Sequence, residues 1–389
     1  MSAPIDTKLP SLMRAQFLDS FNTPYNLRLV PLPTFSPEAY PHDILVKVDA
    51  ASYCHTDAVL AAGQLPPFPH SFPHIGCHEF SGTVILPSAT TAGSKFQPGD
   101  RVGIPGRALH PCGTCFECAG DDARKRDPEA DPPGYSVYCP HAENNGISAP
   151  GGFAEYAVVD GRQVAPLPDG MSAVDAAVLM CAGVTIYAAL KRCRLTPGQR
   201  VGIVGCGGGL GHLGLQFAVG MGLKVVGVDN ADGPLSVARD VVKDSQGVKV
   251  VDARIEDAGE VAQEIGREDG KTDRGDMGLD AVIILPESQK AFDYGVALLR
   301  NHGKCVIVSF PEKGFHLSAW DVVFRDIAVI GSLVGSNKTL REMLQFAVDH
   351  GVRARIKTYP LSKLNNLVAE YHKGGGGKLV VDMSLPDED

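Results

Sequence analysis

The chain has 389 residues, more than one ordinary hydrophobic core contains, so its length favours two domains. Hydrophobic residues make up 44% of the chain, which excludes a largely disordered protein. The formal net charge is -9 and no long block of Lys or Arg occurs, which argues against nucleic acid or an anionic membrane surface as a partner.

The first twenty residues hold no apolar stretch of signal-peptide length, and no uninterrupted apolar run has the length of a membrane span. We therefore expect a cytoplasmic protein. Because that compartment is reducing, the ten cysteines should serve a purpose other than disulfide formation.

The order of predicted elements changes character along the chain. The first part, to about Cys181, has short strand-like runs such as ILVKVDA and GTVIL between Pro and Gly clusters, which predicts a β-rich domain. From Val201 onward, apolar runs of strand length alternate with amphipathic stretches of helical length. This alternation predicts a parallel sheet with helices on both faces. Its predicted strands are VGIVG, KVVGVD, VKVVD, DAVIIL, KCVIVSF and IAVIGSLV.

Composition predicts the structure of three further segments. From about Gly335, a helix (TLREMLQFAVDHG) and short pieces should return the chain to the first domain. The run Gly374 to Gly377 predicts a turn, because glycine tolerates unusual backbone angles. The segment Ala119 to Tyr138, with its mixed charges and prolines, predicts a solvated surface loop.

The first cysteine cluster has the spacing of a metal site. Cys112, Cys115 and Cys118 form C-x2-C-x2-C, and Cys139 follows farther on. Four thiolates complete a tetrahedral zinc shell, so this site would be structural, with no position left for substrate. An iron–sulfur cluster and a chance group of thiols are the alternatives.

The second constellation consists of Cys54, His78, Glu79 and Cys181. Two cysteines and one histidine leave a fourth zinc position open, as catalysis requires. Each residue alone is weak evidence, since single cysteines and histidines are usually core or satisfied polar groups. Their combination indicates a catalytic zinc site.

A glycine-rich turn follows the predicted strand VGIV. Gly205, Gly208, Gly209 and Gly211 permit a tight turn in which backbone N–H groups approach a pyrophosphate at a helix N-terminus. Asp229 ends the next strand, 24 residues after Gly205. A carboxylate there accepts hydrogen bonds from ribose hydroxyls and repels a 2′-phosphate, so the pattern favours NAD over NADP. An ordinary strand-end turn is the alternative.

These motifs together resemble the zinc-containing medium-chain alcohol dehydrogenases, especially the yeast and bacterial tetrameric branch. The likeness runs from about residue 14 to 383 and is carried by CHTD, CHE, the cysteine triplet, YCPHAENNGISAPGGFAEYAVV, LMCAGVTIYAALK, GCGGGLG, GVD and IGSLVG. The resemblance implies an α/β protein. A GroES-like β-rich catalytic domain would occupy residues 1–182 and 335–389, with its zinc lobe at about 107–141. A doubly wound Rossmann domain would occupy 183–334 and bind NAD.

The resemblance also implies roles for single residues. Cys54, His78 and Cys181 would hold the catalytic zinc, and we group Glu79, lying behind it, with this metal set. Thr56 would take the substrate proton, and Asp57 would orient the zinc histidine. The remaining cofactor contacts would be made by His55, Thr185, Leu210, Val308, Ser332, Val334 and Lys378, with Lys378 facing the pyrophosphate as a point charge.

The chain departs from the family pattern in four places. Twenty residues separate Cys118 from Cys139, more than this branch usually has, which indicates an inserted loop. Val59 replaces the relay histidine, so protons must leave by another route. Cys77 replaces a glycine and is interpreted as a packing residue. Leu65 replaces a tryptophan, and Arg107 and His110 lie where an aromatic is expected; this predicts a wider, more polar substrate pocket.

The sequence therefore predicts two zinc ions per chain, NAD as cofactor, and reversible hydride transfer between an alcohol and an aldehyde or ketone larger than ethanol. A redox-neutral isomerase or lyase on the same scaffold is the alternative enzyme. A non-catalytic NAD-binding protein is the alternative outside enzymes. The resemblance implies a homodimer or homotetramer.

Overall fold

The structure is a computed structural model that describes residues 9–88, 96–119 and 136–387. The predicted surface loop Ala119 to Tyr138 lies almost wholly outside the described residues. In chain order the strands are β1 (Leu12–Phe17), β2 (Asn26–Pro31), β3 (Asp43–Tyr53), β4 (Glu79–Leu86), β5 (Arg101–Pro105), β6 (Ala108–Leu109), β7 (Glu143–Asn144), β8 (Tyr156–Asp160), β9 (Ala165–Pro166), β10 (Arg200–Val204), β11 (Lys224–Asp229), β12 (Val248–Asp252), β13 (Leu279–Ile284), β14 (Leu299–Ile307), β15 (Ala328–Gly331), β16 (Ile356–Tyr359) and β17 (Lys378–Asp382).

The helices are α1 (His55–Ala61), α2 (Phe116–Ala119), α3 (Ala173–Cys193), α4 (Gly211–Gly220), α5 (Asp232–Val241), α6 (Ala258–Glu268), α7 (Gln289–Leu298), α8 (Ala319–Phe324), α9 (Asn337–Asp349) and α10 (Leu364–Tyr371). Short 3₁₀ turns lie at Arg274–Asp276 and Leu361–Lys363.

The catalytic domain is built on a seven-stranded sheet with the order β16-β17-β3-β4-β5-β9, in which β8 also pairs with β3. Strand β3 is its centre, bonded antiparallel to β4, β8 and β17. Ile44, Val46 and Val48 alternate along β3 and are all fully buried, as expected of a central strand. The chain leaves β3 directly into Cys54, so the strand delivers the first metal ligand.

The second sheet has six parallel strands in the order β12-β11-β10-β13-β14-β15. Neighbouring residues alternate between two cores: Val225 packs in one apolar cluster and Val226 in another. Apolar residues therefore cover both faces, which confirms the predicted doubly wound α/β domain. Strand order reverses between β10 and β13, and ligands of such sheets bind at that point, beyond the carboxyl ends of the strands.

Helix α3 links the two domains, and the predicted boundary at residues 182–183 lies inside it. Leu179–Gly183 form a π-turn within the helix. By length and composition α3 is apolar enough to cross a membrane, but most of it is buried inside the protein. The core helices of many proteins have the same length and apolar composition. This helix was not predicted from the sequence, because Asp175 and Lys191 interrupt its apolar run.

The helix predicted after Gly335 is present as α9. It packs between the two domains, because the apolar cluster that holds Leu340 and Met343 includes Val380 of the catalytic sheet as well as residues of the parallel sheet. The chain rejoins the catalytic sheet at β16, which pairs with β17. The turn predicted at Gly374 to Gly377 is present between α10 and β17.

Candidate active site

Three predicted metal ligands converge between the two sheets. Cys54 caps helix α1 at the end of β3, His78 immediately precedes β4, and Cys181 lies in the π-turn of α3. Their ligand atoms all lie within 4.8 Å of one another, and the two sulfurs are 4.0 Å apart. Inserted π-turns frequently occur at functional sites, where they redirect a side chain.

The chemistry of this set fits a soft metal cation. Both ring nitrogens of His78 are buried and make no hydrogen bond to any described atom. The hydrogen bond from Cys181 lowers the pKa of the Cys54 thiol well below its usual value, and the nearby His78 and Lys378 charges act in the same direction against burial. A thiolate, a second sulfur and an imidazole make a three-ligand zinc site with one position left open.

Asp57 holds the ends of the two ligand-bearing segments together. Its carboxylate accepts the backbone N–H of Cys54 at 2.8 Å and that of Cys77 at 3.0 Å. It also lies 3.5 Å from Nδ1 of His78, the position predicted for a group that orients the zinc histidine. Thr56 lies beside this carboxylate on α1, with its hydroxyl 4.0 Å from the sulfur of Cys54.

Cys77 is fully buried in the apolar core of the catalytic domain, as its interpretation as a packing residue requires. Its backbone φ is 77°, a left-handed angle that favours glycine. Val59 is also buried, so the position of the expected relay histidine is apolar.

Glu79 is not part of the metal set, contrary to its grouping with the ligands. Its carboxylate accepts the hydroxyl of Ser52 at 2.8 Å, the ammonium of Lys378, and the N–H of Ala182 at 3.2 Å. Burial raises the pKa of Glu79 to about 7, although Lys378 opposes this shift. The carboxylate therefore lies behind the site and anchors the π-turn next to Cys181.

Lys378 has partners that the sequence did not predict. Its ammonium is buried and donates to Glu79 and to the carbonyl oxygen of Tyr53, the latter at 2.9 Å, while its contact with the cofactor pyrophosphate stays a prediction. The physical reason is that a buried carboxylate needs a counter-ion. Only the methylene groups approach the glycine turn: a Cβ at Gly209 would lie 3.0 Å from Cδ of Lys378.

The second cysteine cluster also converges. The sulfurs of Cys112, Cys115, Cys118 and Cys139 lie within 4.8 Å of one another, and none forms a disulfide. Hydrogen bonds from the backbone N–H groups of Thr114 and Cys115 lower the pKa of Cys112 to about 6. Four sulfurs, one readily ionised, fit a closed structural zinc site.

The glycine turn joins β10 to α4 as predicted. Gly205 has a φ of 83°, and a Cβ on Gly211 would overlap the carbonyl oxygen of Gly205, so both positions require glycine. Asp229 ends β11, and its carboxylate accepts the N–H of Gly207 at 3.0 Å. Burial raises the pKa of Asp229. The turn, Leu210 and the carboxylate thus surround the N-terminus of α4, where an anion is stabilised.

Two of the residues predicted to contact the nicotinamide carry unused hydroxyls. Oγ1 of Thr185, one turn beyond Cys181 on α3, and Oγ of Ser332 are buried and make no hydrogen bond to any described atom. The N–H of Ser332 donates to Ile307 within the sheet, so its hydroxyl is the group left for a ligand. Val308 and Val334 follow the same two strands, β14 and β15, at their carboxyl ends. Buried polar atoms without partners fit an amide-bearing cofactor here.

His55 reaches across the cleft between the domains. Its Nδ1 lies 2.9 Å from the hydroxyl of Tyr371 and its Nε2 lies 3.3 Å from the carboxylate of Glu287. Neither Tyr371 nor Glu287 was predicted from the sequence, because nothing in their local patterns marks them. Both are placed by the way the two domains meet.

The predicted substrate-pocket residues separate into two groups. Arg107 is 2% exposed, so it is not a solvated loop residue. It follows Gly106, where a Cβ would overlap His78, and therefore lies near the metal ligands. Leu65 is half-buried in the loop after α1.

His110 is corrected: it does not belong to the pocket. Its Nε2 lies 2.7 Å from Asp43, and its ring stacks on Tyr40 at 4.0 Å. A carboxylate and an aromatic ring from the segment around β3 hold this imidazole, so it takes no part in the metal site.

Comparison with known proteins extends these observations over the whole chain. Residues 40–169 match the alcohol dehydrogenase GroES-like domain, and residues 209–349 match the zinc-binding dehydrogenase family. An alcohol dehydrogenase of Geobacillus stearothermophilus is 32% identical over 363 residues, which is 93% of this chain and 97% of that protein.

Solved structures give the same result. The alcohol dehydrogenase of the hyperthermophilic archaeon Aeropyrum pernix has a TM-score of 0.78 and 28% identity, covering 95% of this chain and 99% of that one. A zinc-binding dehydrogenase of Sinorhizobium meliloti 1021, bound to NADP, has a TM-score of 0.78 and 25% identity, covering 96% and 100%. The GroES-like and Rossmann domains are thereby confirmed. The chain belongs to the zinc-containing medium-chain alcohol dehydrogenase family, a family of oxidoreductases that use zinc and a nicotinamide cofactor.

Proposed function

We propose that the protein is a reversible NAD-dependent alcohol dehydrogenase that holds two zinc ions per chain, one catalytic and one structural. The main support for this proposal is the convergence of Cys54, His78 and Cys181 into a three-ligand set. The open hydroxyl of Thr185 lies one helical turn from Cys181. A metal site and a cofactor site that share one helix suit hydride transfer.

The side chains around the ligands supply the rest of the reaction. A zinc ion held by Cys54, His78 and Cys181 would act as a Lewis acid that acidifies an alcohol and polarises a carbonyl. The hydroxyl of Thr56 is placed to take the alcohol proton, since it lies on the same turn as Cys54. Val59 is apolar and cannot carry that proton onward, so we propose that the proton reaches water by a route other than this side chain.

We propose NAD rather than NADP as the physiological cofactor. Asp229 ends β11 and accepts a hydrogen bond from the glycine turn, which supports a role for its carboxylate in binding the adenosine ribose. A 2′-phosphate there would meet a second negative charge. The NADP-bound relative shows that this fold also accommodates the other cofactor, so the preference depends on single side chains of this kind.

We propose a substrate larger than ethanol that carries a polar group. Leu65 has a smaller side chain than the tryptophan expected at its position and leaves more space. Arg107 adds a buried side chain with a positive charge, and it directly follows Gly106, which packs against His78. A site built with a buried cation favours ligands that carry oxygen atoms toward it.

We also propose that the protein forms a homodimer or homotetramer in the cytoplasm. Helix α8 and strand β15 expose Trp320, Val323, Phe324 and Val329, and we refer to this surface as the α8–β15 face. Strand β15 is the end of its sheet, with β14 as its partner, and an apolar sheet edge favours pairing with a second copy. All ten cysteines are free thiols, which supports a reducing compartment.

The test is a panel of alcohols and aldehydes assayed in both directions at 340 nm with NAD and NADP, before and after chelation. We expect NADH formation that a chelator abolishes, with bulky oxygenated substrates preferred to ethanol. The Leu65→Trp variant should shift preference toward small alcohols by about tenfold. Turnover of a substrate without any change at 340 nm would favour the isomerase or lyase instead.

A further inference from the structure

A buried histidine lies at the start of the helix that follows the glycine turn. His212 is fully buried (0% exposed). Its Nδ1 lies 2.8 Å from the carbonyl oxygen of Gly208, and its Nε2 lies 3.1 Å from the backbone nitrogen of Arg355. The ring therefore connects the turn of the cofactor domain to the segment that enters β16 of the catalytic sheet.

The two partners determine the form of the imidazole. A backbone N–H can only donate, so Nε2 of His212 must accept the bond from Arg355. Nδ1 must then carry the proton and donate it to the carbonyl of Gly208. Burial lowers the pKa of His212 to about 4; the Gly208 bond opposes this, and the Lys378 and Arg355 charges reinforce it. The ring is thus a neutral, fixed donor at neutral pH.

The bond to Gly208 orients the next peptide group. In a trans peptide the carbonyl and the following N–H point in opposite directions. The carbonyl oxygen of Gly208 accepts both the ring of His212 and its backbone N–H, the latter at 3.2 Å, and is held toward α4. The N–H of Gly209 therefore points away from the helix. Within the described residues, the N–H groups of Gly209 and Leu210 donate to no other atom.

The same region ties the two domains together. Besides the His212–Arg355 bond, the N–H of Gly377 donates to the carbonyl of Gly207 at 3.1 Å. The carbonyl of Arg355 accepts the N–H of Lys378 at 2.8 Å. Both polar groups of the Arg355 backbone are thus used, and the glycine turn is attached to the catalytic sheet at two points.

We propose that His212 is a positioning residue for the dinucleotide pyrophosphate: its Nδ1–H fixes the Gly208 carbonyl so that the N–H of Gly209 faces the phosphates. The bond of Nε2 to Arg355 holds the ring in place from the catalytic domain. The inference rests on the use of a nicotinamide dinucleotide at this turn. Its consequence is a contribution to cofactor affinity from a residue that touches no cofactor atom.

The chain offers a matched pair of variants. The amide of His212→Asn reaches the position of Nδ1 and keeps a donor to Gly208, whereas that of His212→Gln reaches Nε2 and keeps an acceptor for Arg355. We expect the zinc-loaded Asn variant to bind NADH within about threefold of the wild-type Kd, and the Gln variant to bind about tenfold more weakly. In the Gln variant the KM for NAD should rise by a larger factor than kcat changes, because His212 acts on cofactor binding and does not touch the reacting atoms.

NADH fluorescence titration, steady-state kinetics and melting temperatures measure these quantities together. Equal Kd values for the Gln variant and the wild type would overturn the proposal. The proposal would also be overturned if NADH affinity fell in step with the melting temperature of each variant, whether or not its side chain keeps a donor at the position of Nδ1. Wild-type protein that binds neither NADH nor NADPH would instead overturn the proposed function, so the two failures are distinct.

Discussion

At the scale of single residues, the proposed preference for NAD over NADP rests on Asp229. Asp229→Asn keeps an oxygen for the N–H of Gly207 but removes the charge that opposes a 2′-phosphate. We expect the ratio of kcat/KM for NADP over NAD to rise by about 5- to 150-fold, equivalent to about 1–3 kcal/mol.

The control is Asp244→Asn, which removes a charge from an exposed position beyond α5. Its cofactor ratio should remain that of the wild type. Comparable use of both cofactors by the wild-type enzyme would show that Asp229 does not govern the choice.

His212 makes a separate prediction about pH. Its pKa is lowered to about 4 in the folded protein, so the folded state binds fewer protons than the unfolded state between that value and the usual pKa of about 6.5. Its stabilisation is complete above the unfolded pKa and is lost progressively as the pH falls from the unfolded pKa to the folded one. When the pH is lowered from 7.5 to 5.0, we expect the titration of His212 to reduce the free energy of unfolding by about 2 kcal/mol.

Denaturant unfolding of the wild type and His212→Asn at both pH values measures the difference, because every other group titrates in both proteins. The pH-dependent loss should be smaller in the variant by that amount. Parallel stability profiles would mean that the imidazole is not held neutral.

The residue scale also shows where sequence reasoning succeeds and where it does not. The convergence of Cys54, His78 and Cys181 was predictable because these residue types occur together in the motifs that resemble the family. The partner of Lys378 was not predictable, since the ammonium on a flexible chain follows whichever buried carboxylate the fold brings near it. His110 was misplaced for the same reason: its contact with Asp43 is 67 residues away in sequence.

At the scale of elements, the two cysteine sets should respond differently to the same substitution. Cys112→Ser removes a ligand from the closed lobe around α2, so we expect loss of one zinc ion and a fall in Tm of about 5 °C or more. Cys54→Ser removes a ligand from the open site and should reduce kcat by about a thousandfold or more with a smaller change in Tm.

Elemental analysis, thermal unfolding and the 340 nm assay on the same preparations separate these effects. The wild type should contain two zinc ions per chain. Cys193→Ser is the control, because Cys193 is buried in the apolar core away from both sets and should leave the zinc content unchanged. One zinc ion or none in metal-replete wild type would contradict the assignment.

The elements themselves were predicted unequally. Six parallel strands follow from apolar runs in the sequence, and all six are present, with the edge strand β15 largely exposed. The π-turn in α3 left no such signal, because an extra residue in a helix does not disturb its apolar character. That turn nevertheless brings Cys181 to the other ligands and exposes the N–H of Ala182 to Glu79.

At the scale of the whole molecule, the domains are coupled more closely than the sequence suggested. The alternation of strands and helices predicted two domains, but it could not show that α3 and α9 share one apolar cluster with residues of both sheets. Contacts such as Gly377 to Gly207 join distant segments through the backbone, which carries no residue-specific pattern. The cofactor turn and the metal site therefore belong to one connected structure, which is why cofactor affinity should respond to changes in either domain.

The last prediction concerns assembly through the α8–β15 face. An open strand edge beside exposed Trp320, Val323 and Phe324 would leave unusual apolar area in water. Val329 lies on that edge strand and is 40% exposed, so Val329→Lys places a charge where a second copy would pair. We expect the wild type to be at least dimeric by size-exclusion chromatography with light scattering, and the variant to be monomeric at micromolar concentration.

Ile255→Lys provides the matched control, because Ile255 is 82% exposed on a different part of the cofactor domain. It adds the same charge to an exposed apolar residue and should leave the oligomer intact. If the control also dissociates, net charge and not the α8–β15 face governs assembly. A wild type that remains monomeric at every concentration contradicts the interface directly, since the apolar edge would then be stable in water without a partner.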